Sequence, residues 1–145
     1  MTPPPLSERL RRVVEALPLR PGMRVLEIGG APGAAAREVA VRVGPAGHVR
    51  VVDRSPAGIR RTQAACAAEI EAGLMSVQLA AVEDLVLPEG EAPYDLAFAC
   101  RVGALDGRHP ALEAPALRRI AAALVPAGRL LVDTGDPLRD VPLPR

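Results

Sequence analysis

Apolar residues follow two different spacings along this chain. Between residues 6 and 17 they recur every three to four positions, which predicts an amphipathic helix with Arg9, Arg11 and Arg12 on its solvent face. Farther on, short unbroken apolar runs end in glycine or acidic turns, which predicts buried strands. These runs cover residues 24–28, 48–52, 74–79, 94–100 and 129–132.

Helical patterns separate the predicted strands. The stretches 32–43, 55–73 and 115–125 carry apolar stripes at helical spacing. Pro32 suits the first turn of its helix, and Ser55 suits an N-cap. Strands that alternate with helices predict an α/β fold with a Rossmann-like parallel sheet of about five strands, flanked by helices.

The 145 residues have room for one hydrophobic core. The predicted domain covers residues 6–134. Residues 1–5 are predicted to form a flexible proline-rich tail, and residues 135–145 a C-terminal tail that also contains prolines.

Composition narrows the range of partners. The 18 basic residues, all of them arginine, balance 17 acidic ones, so the chain lacks the basic excess that nucleic acids and anionic membranes select. Aromatic residues make up 1% of the chain, which is too few for a base-stacking platform. The two cysteines lie far apart, and the N-terminus lacks a signal-peptide pattern. These features predict a cytoplasmic protein with no metal site, no nucleic-acid partner and no membrane partner.

Four segments follow predicted strands and are expected to meet in one crevice. In parallel sheets, ligands bind beyond the carboxyl ends of the strands, at the point where the strand order reverses. The segments are Gly29–Gly33, Asp53, Val82–Glu83 and Cys100–Arg101.

Residues 25–33, which read VLEIGGAPG, resemble the first motif of class I S-adenosylmethionine-dependent methyltransferases. That motif places an acidic residue before three spaced glycines, and here Ala31 stands at the middle glycine. The resemblance continues through residues 47–56, 94–98 and 124–132 in the family's order, and it covers about residues 20–133. It implies a truncated version of this architecture, S-adenosylmethionine as cofactor, and methyl transfer.

The resemblance also implies cofactor contacts. Asp53 would bind the ribose hydroxyls, and Glu27 would contact the methionine end. Arg54 and Ile59 would border the adenine, and the backbone at Val82 would meet the adenine edge. Glycine at the turn agrees with this, because it lets the backbone approach a ligand closely. The implied cofactor-binding residues are Glu27, Gly29, Gly30, Ala31, Gly33, Asp53, Arg54, Val82, Glu83 and Cys100.

Besides Ala31, two features depart from the family's pattern. Residues 80–83 read AAVE, so the usual aspartate before the adenine contact is absent, and Glu83 is the acid available for the adenine amine. Residues 135–145 are also too short for the family's final helix and antiparallel strand pair. The fifth strand is therefore expected to form an open apolar edge, which predicts a homodimer through residues 130–132.

The loop 101–114 is predicted to line the acceptor side of the crevice. His109 is the candidate general base and Asp106 its orienter. No spacing motif supports such a pair, and an ordinary polar surface loop is the simpler explanation of both residues. Arg101 is a candidate for binding an acidic acceptor group, and a surface salt bridge is the alternative. Methyl transfer from a sulfonium needs a base only when the acceptor must lose a proton.

Missing residue types exclude several other chemistries. Without lysine or asparagine, the chain has neither the tetrad of ribose methyltransferases nor the ligand set of metal-dependent catechol-type enzymes. A nicotinamide-binding glycine motif would need glycine at positions 31 and 34, which are both alanine. The sequence therefore predicts a metal-free methyltransferase for a small-molecule acceptor. The alternative is a non-catalytic, degenerate binding module or partner subunit.

Overall fold

The computed structural model describes residues 6–145, so the predicted tail 1–5 lies outside the described residues. Two single 3-10 turns, Val82–Asp84 and Pro110–Leu112, accompany the regular elements. The helices are α1 (Glu8–Ala16), α2 (Ala34–Val43), α3 (Pro56–Ala65), α4 (Ala67–Glu71) and α5 (Glu113–Ala123). The strands are β1 (Arg24–Ile28), β2 (His48–Asp53), β3 (Met75–Leu79), β4 (Tyr94–Ala99), β5 (Leu124–Val132) and β6 (Arg139–Val141).

The six strands form one sheet in the order β3-β2-β1-β4-β5-β6. The first five strands run parallel, and β6 runs antiparallel to β5. The predicted Rossmann-like sheet is confirmed, with one strand more than expected. Because the order reverses between β1 and β4, the carboxyl ends of these two strands open a crevice at the centre of the sheet.

Apolar layers cover both faces of the sheet. One layer joins Val13 of α1 and Val39 of α2 to Val51 of β2. The other joins Ile120 of α5 to inward residues of β1 and β5. The central strands β1, β2 and β4 are buried on both faces over most of their length, as expected of a parallel sheet between helices. Within residues 6–145, no helix is long and apolar enough to cross a membrane.

Two helix boundaries differ from the prediction. Helix α2 begins at Ala34 rather than at Pro32, because Gly33 takes a left-handed conformation (φ +96°) immediately before it. The predicted helix over 55–73 divides into α3 and α4 at Cys66, whose ψ of +23° is not helical. Its predicted start is confirmed, since the Ser55 hydroxyl accepts a hydrogen bond from the Gly58 amide at 3.0 Å.

The fifth strand starts earlier than the sequence indicates. The helix predicted over 115–125 stops at Ala123. The strand predicted over 129–132 begins at once with Leu124, which has an extended conformation. Pro126 is accommodated because the pairing with β4 is irregular between Tyr94 and Leu96, and prolines occur in strands at such irregularities.

The C-terminal residues supply a strand that the sequence analysis did not predict. In β6, Arg139–Val141 pairs with Leu130–Val132 of β5, so the expectation of an open edge at 130–132 is wrong. The three residues Arg139–Val141, which lie between Pro137 and Pro142, are enough for this pairing. Arg129 and Asp140 add an ion pair, with Nη2 2.7 Å from Oδ2. The homodimer stays a prediction, without the open edge on which it was based.

Candidate active site

The turn after β1 is built from glycines because neighbouring side chains fill the space around it. A β-carbon on Gly29 would lie 2.7 Å from Val102 Cγ2, and the residue has a φ of +72°. A β-carbon on Gly30 would lie 2.5 Å from the Glu27 carboxyl carbon. A larger residue at either position would clash with Val102 or Glu27. Glycine therefore allows the turn to lie close to the end of the sheet.

Asp53 closes the other side of the crevice at the end of β2. Its Oδ2 accepts a hydrogen bond from the Ala31 amide at 3.1 Å, and its Oδ1 accepts one from the Ser55 amide at 2.9 Å. These bonds hold the carboxylate between the glycine turn and α3. Each oxygen keeps an unused lone pair, so the group can still accept hydrogen bonds from a ligand.

Two adjoining cavities occupy the carboxyl end of the sheet. The first, called here the Asp53 cavity, has a volume of about 300 Å³. It is lined by Ile28, Gly29, Val52, Asp53, Arg54, Ala80, Val82, Glu83, Arg101, Val102, Gly103, Ala104, Arg108, His109 and Leu112. The structure therefore brings together Asp53, Arg54, Val82 and Glu83, as the sequence predicted.

The second, called here the Glu27 cavity, has a volume of about 260 Å³. It is lined by Arg9, Leu10, Glu27, Gly29, Gly30, Ala31, Pro32, Ala34, Ala35, Cys100 and Arg101. Gly29 and Arg101 border both cavities, so the two form neighbouring halves of one crevice.

Glu27 is a buried acid without a hydrogen-bond partner for one of its oxygens. The residue is 3% exposed, and Oε1 has no partner among the described residues. Burial, and then the negative charge of Asp53, raise the pKa of Glu27 to about 8. Burial therefore favours the protonated form of this carboxyl group at neutral pH. A cation in this cavity would favour its ionised form.

Arg101 sits at the junction of the two cavities in a left-handed conformation (φ +56°), which is unusual for a residue other than glycine. Its peptide groups are held on both sides. The amide donates to Asp133 Oδ2 at 3.0 Å, and the carbonyl accepts from Arg108 Nη2 at 2.9 Å. The Arg101 side chain is exposed and forms no ion pair within residues 6–145, so the salt-bridge alternative is not observed there.

The predicted pair of Asp106 and His109 is not assembled. Asp106 instead binds Arg108, whose Nε lies 2.9 Å from Oδ2 and 3.0 Å from Oδ1. Hydrogen bonds from Arg108 lower the pKa of Asp106. The His109 ring lies in the Asp53 cavity against Gly103, and no hydrogen bond joins it to Asp106 in the part of the chain described. The role of His109 as a base stays a prediction, without Asp106 as its orienter.

Of the predicted cofactor contacts Gly33 and Cys100, only Cys100 lines the crevice. Gly33 borders neither cavity. A β-carbon there would lie 2.7 Å from Cys66 Sγ, so Gly33 allows α2 to approach α3 closely. Cys100 does line the Glu27 cavity, and burial followed by the charges of Glu27 and Asp133 raises the pKa of its thiol to about 12. Cys100 is therefore a neutral wall of the cavity rather than a nucleophile.

Arg9 is a lining residue that the sequence analysis missed. The helical pattern placed it on the solvent face of α1, together with Arg11 and Arg12. In the structure its side chain reaches the Glu27 cavity and lies 3.5 Å from Asp133. Periodicity within α1 carries no signal for this, because the position depends on how α1 packs against the carboxyl end of the sheet.

The described residues 6–145 contain no group of three or more histidine, cysteine or acidic side chains placed to hold a metal ion. Taken together, the strand order, the glycine turn after β1 and the carboxylate after β2 define a Rossmann-like α/β protein whose ligand crevice lies at the carboxyl ends of β1 and β4.

Comparison with known proteins specifies the family. Residues 25–128 match the family model described as "Methyltransferase domain". The chain belongs to this family, the class I S-adenosylmethionine-dependent methyltransferases.

The chain is similar to the nocamycin O-methyltransferase of Saccharothrix syringae, with 37% identity over 120 residues. That alignment covers 83% of this chain and 40% of the relative, so the chain spans well under half of that protein. Among solved structures, the CcbJ methyltransferase of Streptomyces caelestis has 25% identity and a TM-score of 0.67, and the alignment covers 90% of this chain and 49% of that one. TrmN of Thermus thermophilus has 28% identity and a TM-score of 0.64, with coverage of 85% and 35%.

Proposed function

We propose that this chain binds S-adenosylmethionine and transfers its methyl group to an oxygen atom of a small-molecule acceptor. The observation that carries the proposal is the pair of adjoining cavities, one with the Asp53 carboxylate and the other with the buried Glu27, which meet at Gly29. Family membership supports the cofactor, and the similarity to an O-methyltransferase supports the kind of acceptor atom.

The two cavities fit the two ends of this cofactor. In the Asp53 cavity, Asp53 would accept hydrogen bonds from the ribose hydroxyls, while Val82 and Glu83 would border the adenine. In the Glu27 cavity, the unpaired Oε1 would face the ammonium group of the methionine end. A group that brings a cation satisfies this otherwise unpaired oxygen, which is the main reason that the site suits an amino-acid group.

The bound cofactor supplies an electrophilic methyl group on a sulfonium. The chain's part in the reaction is to align the donor and the acceptor, since proximity and orientation alone lower the barrier by several kcal/mol. We propose transfer without a metal ion. An acceptor whose oxygen is already ionised needs no base, and His109 is the candidate base for one that is not. The cytoplasmic location, the homodimer and the absence of nucleic-acid partners stay predictions.

A non-catalytic binding module is the second candidate. It is favoured by the engagement of Asp106 with Arg108, which leaves His109 without an acidic orienter in the described part of the chain. The two candidates differ in one observable property. A binding module takes up the cofactor but releases no S-adenosylhomocysteine with any acceptor, whereas an enzyme forms it in proportion to the methylated product.

Calorimetric titration with S-adenosylmethionine and S-adenosylhomocysteine tests cofactor binding, with NAD as a control ligand. We expect both sulfur ligands to bind and NAD to give no heat. Asp53→Asn should weaken both by about 10-fold or more, because hydrogen bonds to a charged group are lost. Asp84→Asn removes the same charge from an exposed position outside both cavities and should change neither affinity. If the sulfur ligands give no heat at millimolar concentration, the proposed function is wrong.

A further inference from the structure

Helix α1 brings one arginine to the edge of the crevice. Arg9 lines the Glu27 cavity beside Cys100 and Arg101, although it lies far from both along the sequence. Arg12, one turn later on the same helix, faces away from that cavity and pairs with Asp136 at 3.1 Å. The side chains of Arg9 and Arg12 have similar exposure, 43% and 58%, but only Arg9 lines the Glu27 cavity.

The contacts of Arg9 place its guanidinium without using most of its donors. Its ion pair within the described residues is with Asp133, and the distance from Nη1 to Oδ2 is 3.5 Å, longer than a good hydrogen bond. The same oxygen already accepts a hydrogen bond from the Arg101 amide at 3.0 Å. Arginine carries five N–H donors in a planar fork that suits a carboxylate. The Arg9 guanidinium therefore lies beside the cavity near Asp133 and keeps donors available for a ligand.

An acid lies in the same cavity. Glu27, which is 3% exposed, has an oxygen without a partner among residues 6–145. The Glu27 cavity therefore presents an arginine from α1 and an unpaired carboxyl oxygen from β1. An α-amino acid group, which carries both a carboxylate and an ammonium, is complementary to this arrangement.

We propose that Arg9 binds the carboxylate of the cofactor's methionine end, while Glu27 faces its ammonium group. This proposal rests on the proposed function, because it assumes that the nucleoside occupies the Asp53 cavity. It makes the N-terminal helix part of the cofactor site. It also predicts that Arg9 discriminates between nucleosides that carry the amino-acid group and nucleosides that lack it.

The test compares two ligands that share the nucleoside and the sulfur. S-adenosylhomocysteine carries the amino-acid group, and 5′-methylthioadenosine does not. Dissociation constants for both are measured by calorimetry on the wild-type chain, on Arg9→Gln and on the matched control Arg12→Gln. We expect Arg9→Gln to weaken S-adenosylhomocysteine binding by about 10- to 100-fold, which corresponds to a lost charged hydrogen-bond pair. Its affinity for 5′-methylthioadenosine should stay within about twofold of wild type.

Each outcome decides between distinct explanations. Unchanged S-adenosylhomocysteine affinity in Arg9→Gln, or an equal loss for both ligands, would overturn the role of Arg9. An equal loss of S-adenosylhomocysteine affinity in Arg12→Gln and Arg9→Gln would show that only the overall charge of the protein matters. That result would also overturn the role of Arg9. If wild type binds neither ligand, the proposed function fails and this inference fails with it. The retained affinity for 5′-methylthioadenosine also shows that the Arg9→Gln variant is folded.

Discussion

Glu27 combines a buried position with a titration range close to neutral pH. Its pKa of about 8 arises mainly from burial, and the nearby Asp53 charge adds to it. The folded protein therefore holds a proton on this residue at pH values where the unfolded chain has released it. The contribution of Glu27 to the free energy of unfolding is therefore fully present below about pH 4.5. It is lost as the pH rises from about 4.5 towards 8.

Glu27→Gln should remove this part of the pH dependence. The free energy of unfolding of wild type should fall between pH 5 and pH 8 relative to the variant, and the gap should reach the order of a few kcal/mol. Urea denaturation across that pH range measures the difference. Glu15→Gln, an exposed substitution on α1, should follow wild type. Parallel profiles for wild type and Glu27→Gln would contradict the burial of an ionisable group.

Single residues differ in how far the sequence alone locates them. Asp53, Val82 and Glu83 could be placed in one crevice because each follows a strand, and the end of a strand fixes its position in a parallel sheet. Arg9 and the partner of Asp106 could not be predicted. Arg9 depends on the packing of α1, and the pairing of Asp106 with Arg108 depends on the conformation of a loop that has no repeating pattern.

At the scale of elements, Gly33 links the glycine turn to helix packing. It precedes α2 with a left-handed φ of +96°, and a β-carbon added to it would lie 2.7 Å from Cys66 Sγ and 3.1 Å from Thr62 Cγ2. A side chain at this position therefore meets two separate costs, one from the backbone conformation and one from the contact with α3 and its C-terminal Cys66.

Gly33→Ala should destabilise the fold by about 2–5 kcal/mol, the sum of both costs. Gly73→Ala is the matched control, since Gly73 also has a positive φ (+81°) but nothing lies within 4 Å of the added carbon. It should cost only about 1–2 kcal/mol. Urea unfolding midpoints measure both. Equal losses in the two variants would show that the contact with Cys66 is unimportant.

Most elements could be predicted from apolar spacing, and the errors have local causes. The start of α2 was misplaced because proline is common in the first helical turn, whereas here Gly33 sets the boundary. The beginning of β5 was missed because 126–128 carry the residues of a turn, and the strand absorbs them as an irregularity opposite β4. Strand β6 has only three residues, which is too short for a periodic pattern.

At the scale of the whole molecule, β6 determines what the sheet presents at one edge. It covers Leu130–Val132 and pairs Asp140 with Arg129. Without it, the backbone groups of β5 would face solvent beside apolar side chains, an arrangement that favours association between sheets.

Removing residues 137–145 should therefore cause concentration-dependent association, measured by size-exclusion chromatography with light scattering. A chain that ends at Pro142 retains β6 and is the control. Its oligomeric state should match that of the 145-residue chain. If the shorter chain shows the same oligomeric state as this control at every concentration, β6 does not protect the edge.

The most direct test of the account is a crystal structure of the chain with S-adenosylhomocysteine. We predict a ribose hydroxyl within about 3.2 Å of an Asp53 carboxylate oxygen, adenine beside Val82, and the amino-acid group in the Glu27 cavity. A ligand bound away from Asp53, or an empty crevice at saturating ligand concentration, would contradict the assignment of this crevice as the cofactor site.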